Sequence, residues 1–459
     1  MSLEAVVLAA GKGTRMKSRL PKVLHRILGM PMVAWVLRAL PRNVDRTLVV
    51  TGYARERVEE TLGPWDVEFV HQREQKGTGD AIMEALPHLT SPGVLVAPGD
   101  MPLLRRESLE SLVDYHLRRG FHLSVLTVEL EDPSGYGRVV RDGDSVVAIV
   151  EDGEATADEK AIREVNTGVY VFSLEVLRKA LPQLVPHPPK GEYYLTDVVS
   201  WAVSRGYKVG AVVLEDPLEG MGVNDRVQLA MATGVLRDRK NRSLMESGVT
   251  LVSPQDTFIE EGVEIGTDTI VYPWVYLEGE TRIGEGCEIR SHVRIVDSLL
   301  EDGVTVLDSC VIEGAHLASG VSVGPMARLR PGTRLEEGAK VGNFVEVKKS
   351  TLGKGTKASH LAYIGDATLG EGVNVGAGTI TCNYDGFSKH PTVIGDGVFI
   401  GSDTQLVAPV KVGAHALIGA GSTITKDVPE NALALSRVHQ KVIPNRGMLY
   451  YKKKKGGKG

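Results

Sequence analysis

Aliphatic side chains recur at every sixth position through most of the chain between Ile265 and about Pro429. An α-helix repeats every 3.6 residues and a half-buried strand every two, so neither element accounts for this spacing. A period of six is typical of a parallel β-helix, in which each hexapeptide forms one flat side of a coil around a thin core. The repeat therefore predicts three-sided coils of about 18 residues, stacked about 4.8 Å apart. The series comprises Ile265, Val271, Leu277, Ile283, Ile289 and Ile295, then Val311, Leu317, Val323, Leu329, Leu335, Val341 and Val347, then Ile394, Ile400, Leu406, Val412, Ile418 and Ile424.

The same spacing predicts which outward side chains are neighbours. Arg330 and Lys348 are 18 residues apart in an unbroken register, and each follows an inward aliphatic residue. They should face outward from successive coils with their backbones about 4.8 Å apart. Two cations so placed repel each other unless an anion lies between them, and a phosphate gripped by the arginine would suit the pair. The alternative is that both extend into water or pair with Glu346 and Glu336.

The register is interrupted twice, around residues 352–369 and 376–393. Interruptions in a solenoid are expected where loops leave the wall, and loops commonly carry function. The first interruption contains the string Lys357-Ala-Ser-His360-Leu-Ala-Tyr363-Ile-Gly-Asp366. The second contains Asn374-Val-Gly-Ala377-Gly-Thr-Ile-Thr-Cys-Asn383-Tyr384-Asp385-Gly386.

Composition narrows the class of protein. A chain of 459 residues with 42% hydrophobic and 24% charged residues is typical of a soluble globular protein of two or three domains. A net charge of −5 gives no indication of nucleic-acid binding. Three cysteines without Cys-x-x-Cys spacing argue against a disulfide framework and a zinc site, and fit a reducing cytoplasm. The apolar run at residues 5–10 is too short for a signal peptide, and we expect no membrane span.

Residues 1–226 alternate between short apolar runs and helical patterns. We predict strands near 5–9, 48–50, 67–70, 94–97 and 123–128, with helices near 31–40, 78–86 and 105–118. This order predicts an α/β domain whose sheet is covered by helices on both sides. In such sheets ligands bind beyond the carboxyl ends of the strands.

A glycine-containing loop follows the first predicted strand, with the sequence Ala10-Gly11-Lys12-Gly13-Thr14-Arg15-Met16. Its glycines would let backbone N–H groups approach phosphate oxygens, and its two cations would add charge. The loop lacks the third glycine of a dinucleotide-binding fingerprint and the Gly-Lys-Ser/Thr of a P-loop. On this loop alone, nucleotide binding and a plain tight turn remain equally good interpretations.

Longer strings distinguish between these interpretations. They are Leu8-Ala-Ala-Gly-Lys-Gly-Thr-Arg-Met, Pro21-Lys22-Val23-Leu24, Gln72-Arg-Glu-Gln75-Lys-Gly77-Thr78-Gly79, Pro98-Gly99-Asp100, Gly135-Tyr-Gly137-Arg, Val150-Glu151, Asn166-Thr-Gly168 and Gly222-Val-Asn224. This set resembles the sugar-nucleotide pyrophosphorylases. With the hexapeptide repeats, nearly the whole chain resembles the bifunctional bacterial N-acetylglucosamine-1-phosphate uridyltransferase/glucosamine-1-phosphate acetyltransferase family. The resemblance implies a Rossmann-like mixed sheet joined by a long helix to a left-handed parallel β-helix.

The resemblance also implies roles for residues of the first domain. Asp100 and Asn224 would bind Mg²⁺, although a turn aspartate and a helix-capping asparagine are the structural alternatives. Glu151 and Asn166 have similar alternatives, as a solvated hairpin charge and a turn residue. Pro98 departs from the aromatic or polar residue common in the family, which leaves a side-chain contact to the nucleotide in doubt. The nucleotide and the sugar would be held by Leu8, Ala9, Ala10, Gly11, Lys22, Gln72, Gly77, Thr78, Gly137, Glu151, Asn166 and Asn224, with uracil read by Gln72, Gly77 and Thr78.

A helix is predicted to connect the two halves. Asp225 and Gln228 have the spacing of a capping box, and apolar residues then recur at helical intervals as far as Ser247. Gly248 would end the helix. We therefore predict a uridyltransferase domain at 1–226, a linker helix at 227–247, a β-helix acetyltransferase domain at 248–435 and a basic, frayed tail at 436–459.

In the second domain the resemblance makes His360 the general base that takes a proton from the amine of glucosamine 1-phosphate. Cys382 is the alternative nucleophile, but an amine acceptor needs no covalent relay. Ser402 and Ala420 are 18 residues apart, so they should stack and leave room for the thin pantetheine arm. The sugar phosphate would be bound by Arg330, Lys348, Tyr363 and Asn374. Acetyl-CoA would be bound by Ala377, Asn383, Tyr384, Ser402, Ala420 and Arg437.

The family implies a cytoplasmic homotrimer that makes UDP-N-acetylglucosamine, a cell-envelope precursor, from glucosamine 1-phosphate, acetyl-CoA and UTP with Mg²⁺. N-acetylglucosamine 1-phosphate would be the intermediate, and no nucleic acid or membrane partner is expected. One rival is a pyrophosphorylase for another sugar with a regulatory β-helix. The other rival is a scaffold protein in which both sites are inactive.

Overall fold

The computed structural model describes residues 2–189 and 191–455, and the chain divides into two compact units between Lys240 and Asn241. In the first unit the strands are β1 (Leu3–Ala9), β2 (Arg26–Ile27), β3 (Met30–Pro31), β4 (Arg46–Thr51), β5 (Glu68–His71), β6 (Gly93–Pro98), β7 (Leu123–Glu129), β8 (Arg138–Asp142), β9 (Ser145–Val150), β10 (Glu164–Ser173) and β11 (Val209–Val213). The helices are α1 (Met32–Ala39), α2 (Arg55–Leu62), α3 (Thr78–Ala85), α4 (Arg106–Arg119), α5 (Ala157–Lys160), α6 (Leu174–Ala180), α7 (Asp197–Ser204) and α8 (Arg226–Glu246), the last of which spans the division. Every strand and helix predicted for this half is present.

The main sheet is mixed, as the resemblance implied, with the order β11-β7-β10-β6-β1-β4-β5. β1 is parallel to β4 and β6, whereas β10 is antiparallel to β6 and β7. Alternate residues of β1 belong to two cores, since Val6 packs on one side and Ala5 and Val7 pack on the other. This alternation confirms a sheet buried on both faces, and it explains why β1 is a continuous apolar run. Because β1, β4, β5 and β6 run in one direction, the loops after them emerge at one edge.

The second unit contains a parallel β-helix with three sheets, consistent with the left-handed form. Face 1 consists of Thr250–Leu251, Ile270–Val271, Glu288–Ile289, Thr305–Val306, Ser322–Val323, Lys340–Asn343, Lys357–His360, Asn374–Val375, Phe399–Ile400, Leu417–Ile418 and Leu433–Ala434. Face 2 consists of Thr257–Ile259, Val275–Glu278, Arg294–Val296, Val311–Glu313, Arg328–Leu329, Glu346–Lys348, Tyr363–Gly365, Ile380–Cys382, Gln405–Val407 and Thr423–Ile424. Face 3 consists of Glu264–Ile265, Arg282–Ile283, Leu299–Leu300, His316–Leu317, Arg334–Leu335, Thr351–Leu352, Ala367–Leu369, Thr392–Ile394 and Val410–Val412.

Two details of the predicted register are wrong. The first predicted interruption does not exist, because the coil continues through residues 352–369 with strands on all three faces. Some sides are five residues long instead of six, so that Leu352 follows Val347 into the core and the pattern of sixes shifts. For the same reason Ile312, and not Val311, points inward. The second interruption is real, since nine residues, 383–391, separate the strands Ile380–Cys382 and Thr392–Ile394.

The helix between the halves begins one residue before the predicted position. Asp225 caps it as predicted, with Oδ1 accepting hydrogen bonds of 2.9 Å from the backbone N–H groups of Val227 and Gln228. The side chain of Gln228 accepts from the backbone N–H of Asn224 at 2.7 Å instead of from that of Asp225. The first turn of α8 therefore fixes the backbone of Asn224.

The C-terminal segment is not entirely frayed, because α9 (Arg446–Lys455) forms where a tail was predicted. Gly456, Gly457 and Lys458 of the predicted basic tail lie outside the described residues. Cys287, Cys310 and Cys382 are free thiols. Within 2–189 and 191–455, none of the helices is long and apolar enough to cross a membrane.

Candidate active sites

A cavity of about 480 Å³ opens at the carboxyl ends of β1, β5 and β6 in the first unit. Backbone hydrogen bonds tie the loops at this edge to one another: Tyr53 donates to the carbonyl of Ala10, and Gly99 donates to that of Leu8. Pro98 also lines the cavity. The cavity unites most of the residues predicted for nucleotide and sugar binding, and it also contains Asp100, which is predicted to bind Mg²⁺. The nucleotide and sugar residues are Leu8, Ala10, Gly11, Lys22, Gln72, Gly77, Thr78, Glu151 and Asn166.

Three predicted residues do not line the cavity. The side chain of Ala9 is buried in the core beside β1. The carbonyl of Gly137 accepts a 2.8 Å hydrogen bond from the backbone N–H of Asn166, so Gly137 supports the cavity wall. Asn224 is linked to the cavity through Lys22. Gly11 has open space where a Cβ would lie, which leaves room for a ligand close to the backbone.

Lys22 lies between the two residues predicted to bind Mg²⁺. Its ammonium group forms a close ion pair with Asp100 and donates a 3.0 Å hydrogen bond to Oδ1 of Asn224. The carboxylate of Asp100 and the amide oxygen of Asn224 therefore converge on one cationic group. Hard oxygen donors of these two kinds are what Mg²⁺ prefers, so the arrangement fits the ion.

Gln72 also lines the cavity and is 2% exposed. Its Nε2 donates to the carbonyl of Gly77 at 3.0 Å and to Asp80 at 2.7 Å. Gly77 has φ +96°, and a Cβ there would approach the carbonyl oxygen of Tyr193 to 2.5 Å, so only glycine fits. Thr78 accepts a 3.1 Å hydrogen bond from the backbone N–H of Leu195, which fixes the segment against the loop before α7.

The predicted sugar end of the cavity contains Glu151 and Asn166. Burial raises the pKa of Glu151, while a 3.1 Å hydrogen bond from the hydroxyl of Thr196 partly offsets this effect. Asn166 lies at an irregularity in β10, where its Oδ1 accepts from the backbone N–H of Gly168 at 2.9 Å. This local bond is the turn-type alternative, yet the same residue lines the cavity. The site thus has a nucleotide-type loop, a cation position and a polar end within one space.

In the β-helix, Arg330 and Lys348 lie on successive coils of face 2, because Leu329 pairs with Val347. Arg330 forms a 3.0 Å ion pair with Glu346, as the alternative interpretation allowed. Lys348 lies 3.3 Å from Asp366. A hydrogen bond with Lys348 and the charge of its ammonium group lower the pKa of Lys389.

Tyr363 lies beside Lys348, and we call Arg330, Lys348, Lys389 and Tyr363 together the cationic cluster. Its hydroxyl lies over Gly365, where a Cβ would come within 2.5 Å of Oη, and Gly365 pairs with Lys348 in the sheet. Asn374 is on face 1 next to Lys357, so a single chain does not bring it to the cluster on face 2.

His360 is at the end of a strand on face 1, not in a loop as predicted, and its side chain is exposed. Asn343 is its partner on the preceding coil, and Nδ1 of His360 lies 2.6 Å from Oδ1 of Asn343. Because an amide oxygen only accepts, Nδ1 carries the proton in this arrangement and Nε2 is left as the basic nitrogen.

Three residues predicted to bind acetyl-CoA, Ala377, Ser402 and Ala420, each lie two residues after a strand of face 1 on successive coils. The backbone of Gly376, next to Ala377, packs on that of Ser402, and Gly401 packs on Ala420 in the same way. Arg437 donates a 2.6 Å hydrogen bond to the carbonyl of Ala420. Asn383 is buried and donates to Asp366, whereas Tyr384 is exposed and bonds to the carbonyl of Gly386 at 2.6 Å.

Sequence reasoning missed the partners of several candidate site residues. They are Asp80 beside Gln72, Thr196 beside Glu151, Asn343 beside His360, and Asp366 and Lys389 beside Lys348. In the β-helix, the 17- or 18-residue offset could have identified Asn343 and Asp366, had the five-residue sides been recognised. No comparable spacing marks Thr196, which is 45 residues from its partner.

The first unit combines a mixed sheet with a cavity at its loops, and this arrangement defines a nucleotide-dependent transferase. The β-helix, with its cationic cluster, defines a hexapeptide-repeat transferase joined to it. Residues 5–164 match the MobA-like NTP transferase domain, and residues 391–426 match the bacterial transferase hexapeptide family of six repeats. The chain is 50% identical to the Bifunctional protein GlmU of Carboxydothermus hydrogenoformans over 95% of its own length and 98% of that protein. The corresponding protein of Syntrophotalea carbinolica is 53% identical over 96% of both chains, and that of Thermotoga petrophila is 48% identical over 98% of this chain and 100% of the relative. The chain belongs to the bifunctional GlmU family.

Proposed function

We propose that this enzyme makes UDP-N-acetylglucosamine in two steps. The β-helix of residues 248–435 transfers acetyl from acetyl-CoA to glucosamine 1-phosphate. The domain of residues 1–226 then transfers UMP from UTP to N-acetylglucosamine 1-phosphate and releases pyrophosphate. The observation that carries the proposal is the single cavity in which Gln72 and Gly11 of the nucleotide motifs meet Glu151 and Asn166 of the sugar motifs.

In the uridylyl step, a phosphate oxygen of the sugar phosphate attacks the α-phosphorus of UTP, and the bond to pyrophosphate breaks. This reaction joins two polyanions, so it requires alignment and neutralisation of charge more than a side-chain nucleophile. Asp100 and Asn224 would hold Mg²⁺, which supplies the charge that stabilises the phosphates. Lys22, freed from that pair, would bind a phosphate oxygen, while Glu151 and Asn166 would orient the sugar.

In the acetyl step, Nε2 of His360 would take a proton from the amine as the amine attacks the thioester carbonyl. The C–S bond then breaks, and CoA leaves as its thiol after its sulfur takes the proton back from His360. Lys348, Arg330 and Tyr363 would hold the phosphate of the acceptor. The small residues Ser402 and Ala420 would leave a passage for the pantetheine arm.

We further propose that the protein is a homotrimer working in the cytoplasm, where UTP and acetyl-CoA are supplied. Asn374 and the cluster of Arg330, Lys348 and Tyr363 occupy different faces of one β-helix. A neighbouring copy could therefore supply Asn374 to that cluster. Sedimentation of the purified protein would test the trimer directly, and a stable monomer with full acetyl transfer would contradict it.

The function is tested by supplying glucosamine 1-phosphate, acetyl-CoA, UTP and Mg²⁺ and omitting one at a time. Release of free thiol without UTP, and of pyrophosphate from supplied N-acetylglucosamine 1-phosphate without acetyl-CoA, would support both sites. Pyrophosphate without thiol would favour a pyrophosphorylase with a regulatory β-helix. Release of neither would favour the scaffold protein.

A further inference from the structure

The side-chain amide of Gln72 has only one orientation that satisfies its surroundings. Its nitrogen faces two acceptors, the carbonyl of Gly77 at 3.0 Å and the carboxylate of Asp80 at 2.7 Å. Neither acceptor can donate a hydrogen, so the NH₂ end must face them and the oxygen must face away. Across the described residues, none donates a hydrogen bond to Oε1 of Gln72, and Gln72 is one of the residues that line the cavity.

The two acceptors are themselves held in place. Gly77 directly precedes α3, and its carbonyl also accepts a 3.3 Å hydrogen bond from the backbone N–H of Ala81. Its φ of +96° and its close packing against Tyr193 fix the direction of that carbonyl. Asp80 lies in the first turn of α3, where the helix dipole favours a negative charge.

We propose that Asp80 determines the base specificity of the nucleotide site by holding the amide of Gln72 with its oxygen towards the base. This inference rests on the proposed function, in which Gln72 reads uracil. An acceptor presented to the ring of the base requires a donor there. Uracil has an N–H at ring position 3, whereas cytosine has an unprotonated acceptor there, so the site takes UTP and rejects CTP.

The same contacts prevent the amide of Gln72 from rotating to present its NH₂ group to the base. Rotating the amide by 180° would place Oε1 against a carbonyl oxygen and a carboxylate, and both contacts would be repulsive. Replacing Asp80 by asparagine removes the charge and supplies an NH₂ group that can donate to Oε1. The reversed amide, which presents NH₂ to the base and suits cytosine, then becomes accessible.

The experiment measures kcat/KM for UTP, CTP and 3-methyl-UTP with N-acetylglucosamine 1-phosphate and Mg²⁺. We expect the native enzyme to prefer UTP over both analogues by on the order of 100-fold or more, because the analogues would cover Oε1 of Gln72 and leave it unpaired. Asp80→Asn should reduce the preference for UTP over CTP about 10-fold and leave 3-methyl-UTP a poor substrate. Asp80→Ala, which leaves only the Gly77 acceptor, should reduce the preference less than Asp80→Asn.

Glu74→Gln is the matched control, because it removes one negative charge from the same segment at a side chain that pairs with Lys76. An unchanged UTP to CTP ratio in Asp80→Asn relative to this control would overturn the inference. Turnover of 3-methyl-UTP by the native enzyme at a rate close to that of UTP would also overturn it, without reliance on any variant. If the native enzyme released no pyrophosphate from UTP, the proposed function would have failed instead.

Discussion

Lys22 donates a 3.0 Å hydrogen bond to the side-chain oxygen of Asn224, which lies 202 residues further along the chain. The same ammonium group pairs with Asp100. The ammonium group of Lys22 thus compensates the negative charge of Asp100 and satisfies the amide oxygen of Asn224. Binding of Mg²⁺ at these oxygens would free Lys22 for a phosphate, so metal and substrate binding should be coupled.

Loss of either oxygen donor should stop the uridylyl step. Asp100→Ala and Asn224→Ala are each expected to lower pyrophosphate release about 100-fold or more, because the charge on the reacting phosphates would no longer be neutralised. Acetyl transfer by the same protein, followed as free thiol, is the internal control. A folded Asp100→Ala protein that lost both reactions would contradict the assignment of two independent sites.

The acetyl step should depend strongly on His360 and less strongly on Asn343. Without a general base, His360→Ala should lose on the order of 100-fold or more in thiol release. Asn343→Ala should lose about 10-fold, because the ring is no longer held in one tautomer by its 2.6 Å contact. Lys357→Ala, on the same strand as His360, is the control and should retain most of the activity. Equal losses in Asn343→Ala and His360→Ala would mean that Asn343 has more than a positioning role.

The cationic cluster should govern affinity for the sugar phosphate. Lys348→Ala is expected to raise KM for glucosamine 1-phosphate about 10-fold or more with a smaller effect on kcat, because a charge-assisted contact to phosphate is lost. Lys389→Ala should have a similar but smaller effect. Arg328→Ala removes a cation from the same face that pairs weakly with Glu313, at 3.8 Å, and it should leave KM unchanged.

Stability should decrease in mild acid because of one histidine in the first unit. His116 is buried, and burial, followed by the charge of His122, lowers its pKa from 6.5 to about 4. The unfolded chain binds a proton at this position below about pH 6.5 and the folded chain does not, so stability is fully present above pH 6.5 and falls towards pH 4. The maximum loss is about 3 kcal/mol in the free energy of unfolding.

Urea unfolding of the first unit at pH 7.5, 6.0 and 5.0 measures this effect. His116→Gln retains a polar contact to Ser124, which lies 3.0 Å from Nδ1 in the native protein, and removes the titration. We expect a flatter pH dependence in this variant. If the two proteins lost stability in parallel, other groups would be responsible.

The fold could be predicted largely because the residues that determine it are periodic or contiguous. The strand at β1 is a continuous apolar run, and the β-helix repeats one aliphatic residue in each side. The prediction failed where a side is five residues long, since one missing residue shifts the phase while each local pattern remains plausible. His360 was consequently assigned to a loop, although it ends a regular strand.

The cavity was predictable from motifs, but the contacts that tune it were not. Nothing in the sequence near Gln72 distinguishes the carboxylate of Asp80 from an ordinary charge in the first turn of a helix. Their hydrogen bond depends on the direction of the turn at Gly77, which is a three-dimensional property. The placement of Asn374 and Lys348 on different faces was likewise not predictable, because spacing along a coil gives a residue's face only when every side has a known length.

The length of the β-helix is set by its number of complete coils. Each coil adds about 4.8 Å to its length, and equivalent outward positions of successive coils stack in one column along the β-helix. A duplication or deletion of one complete coil before Arg328 would change the length of the β-helix, but every side chain of the acetyl site would keep its neighbours. Loss of a single side would instead turn all later columns onto the neighbouring face, separating Asn343 from His360 if the cut fell between them. During evolution the length of the β-helix can therefore change by whole coils, and only by whole coils, without a rearrangement of the acetyl site.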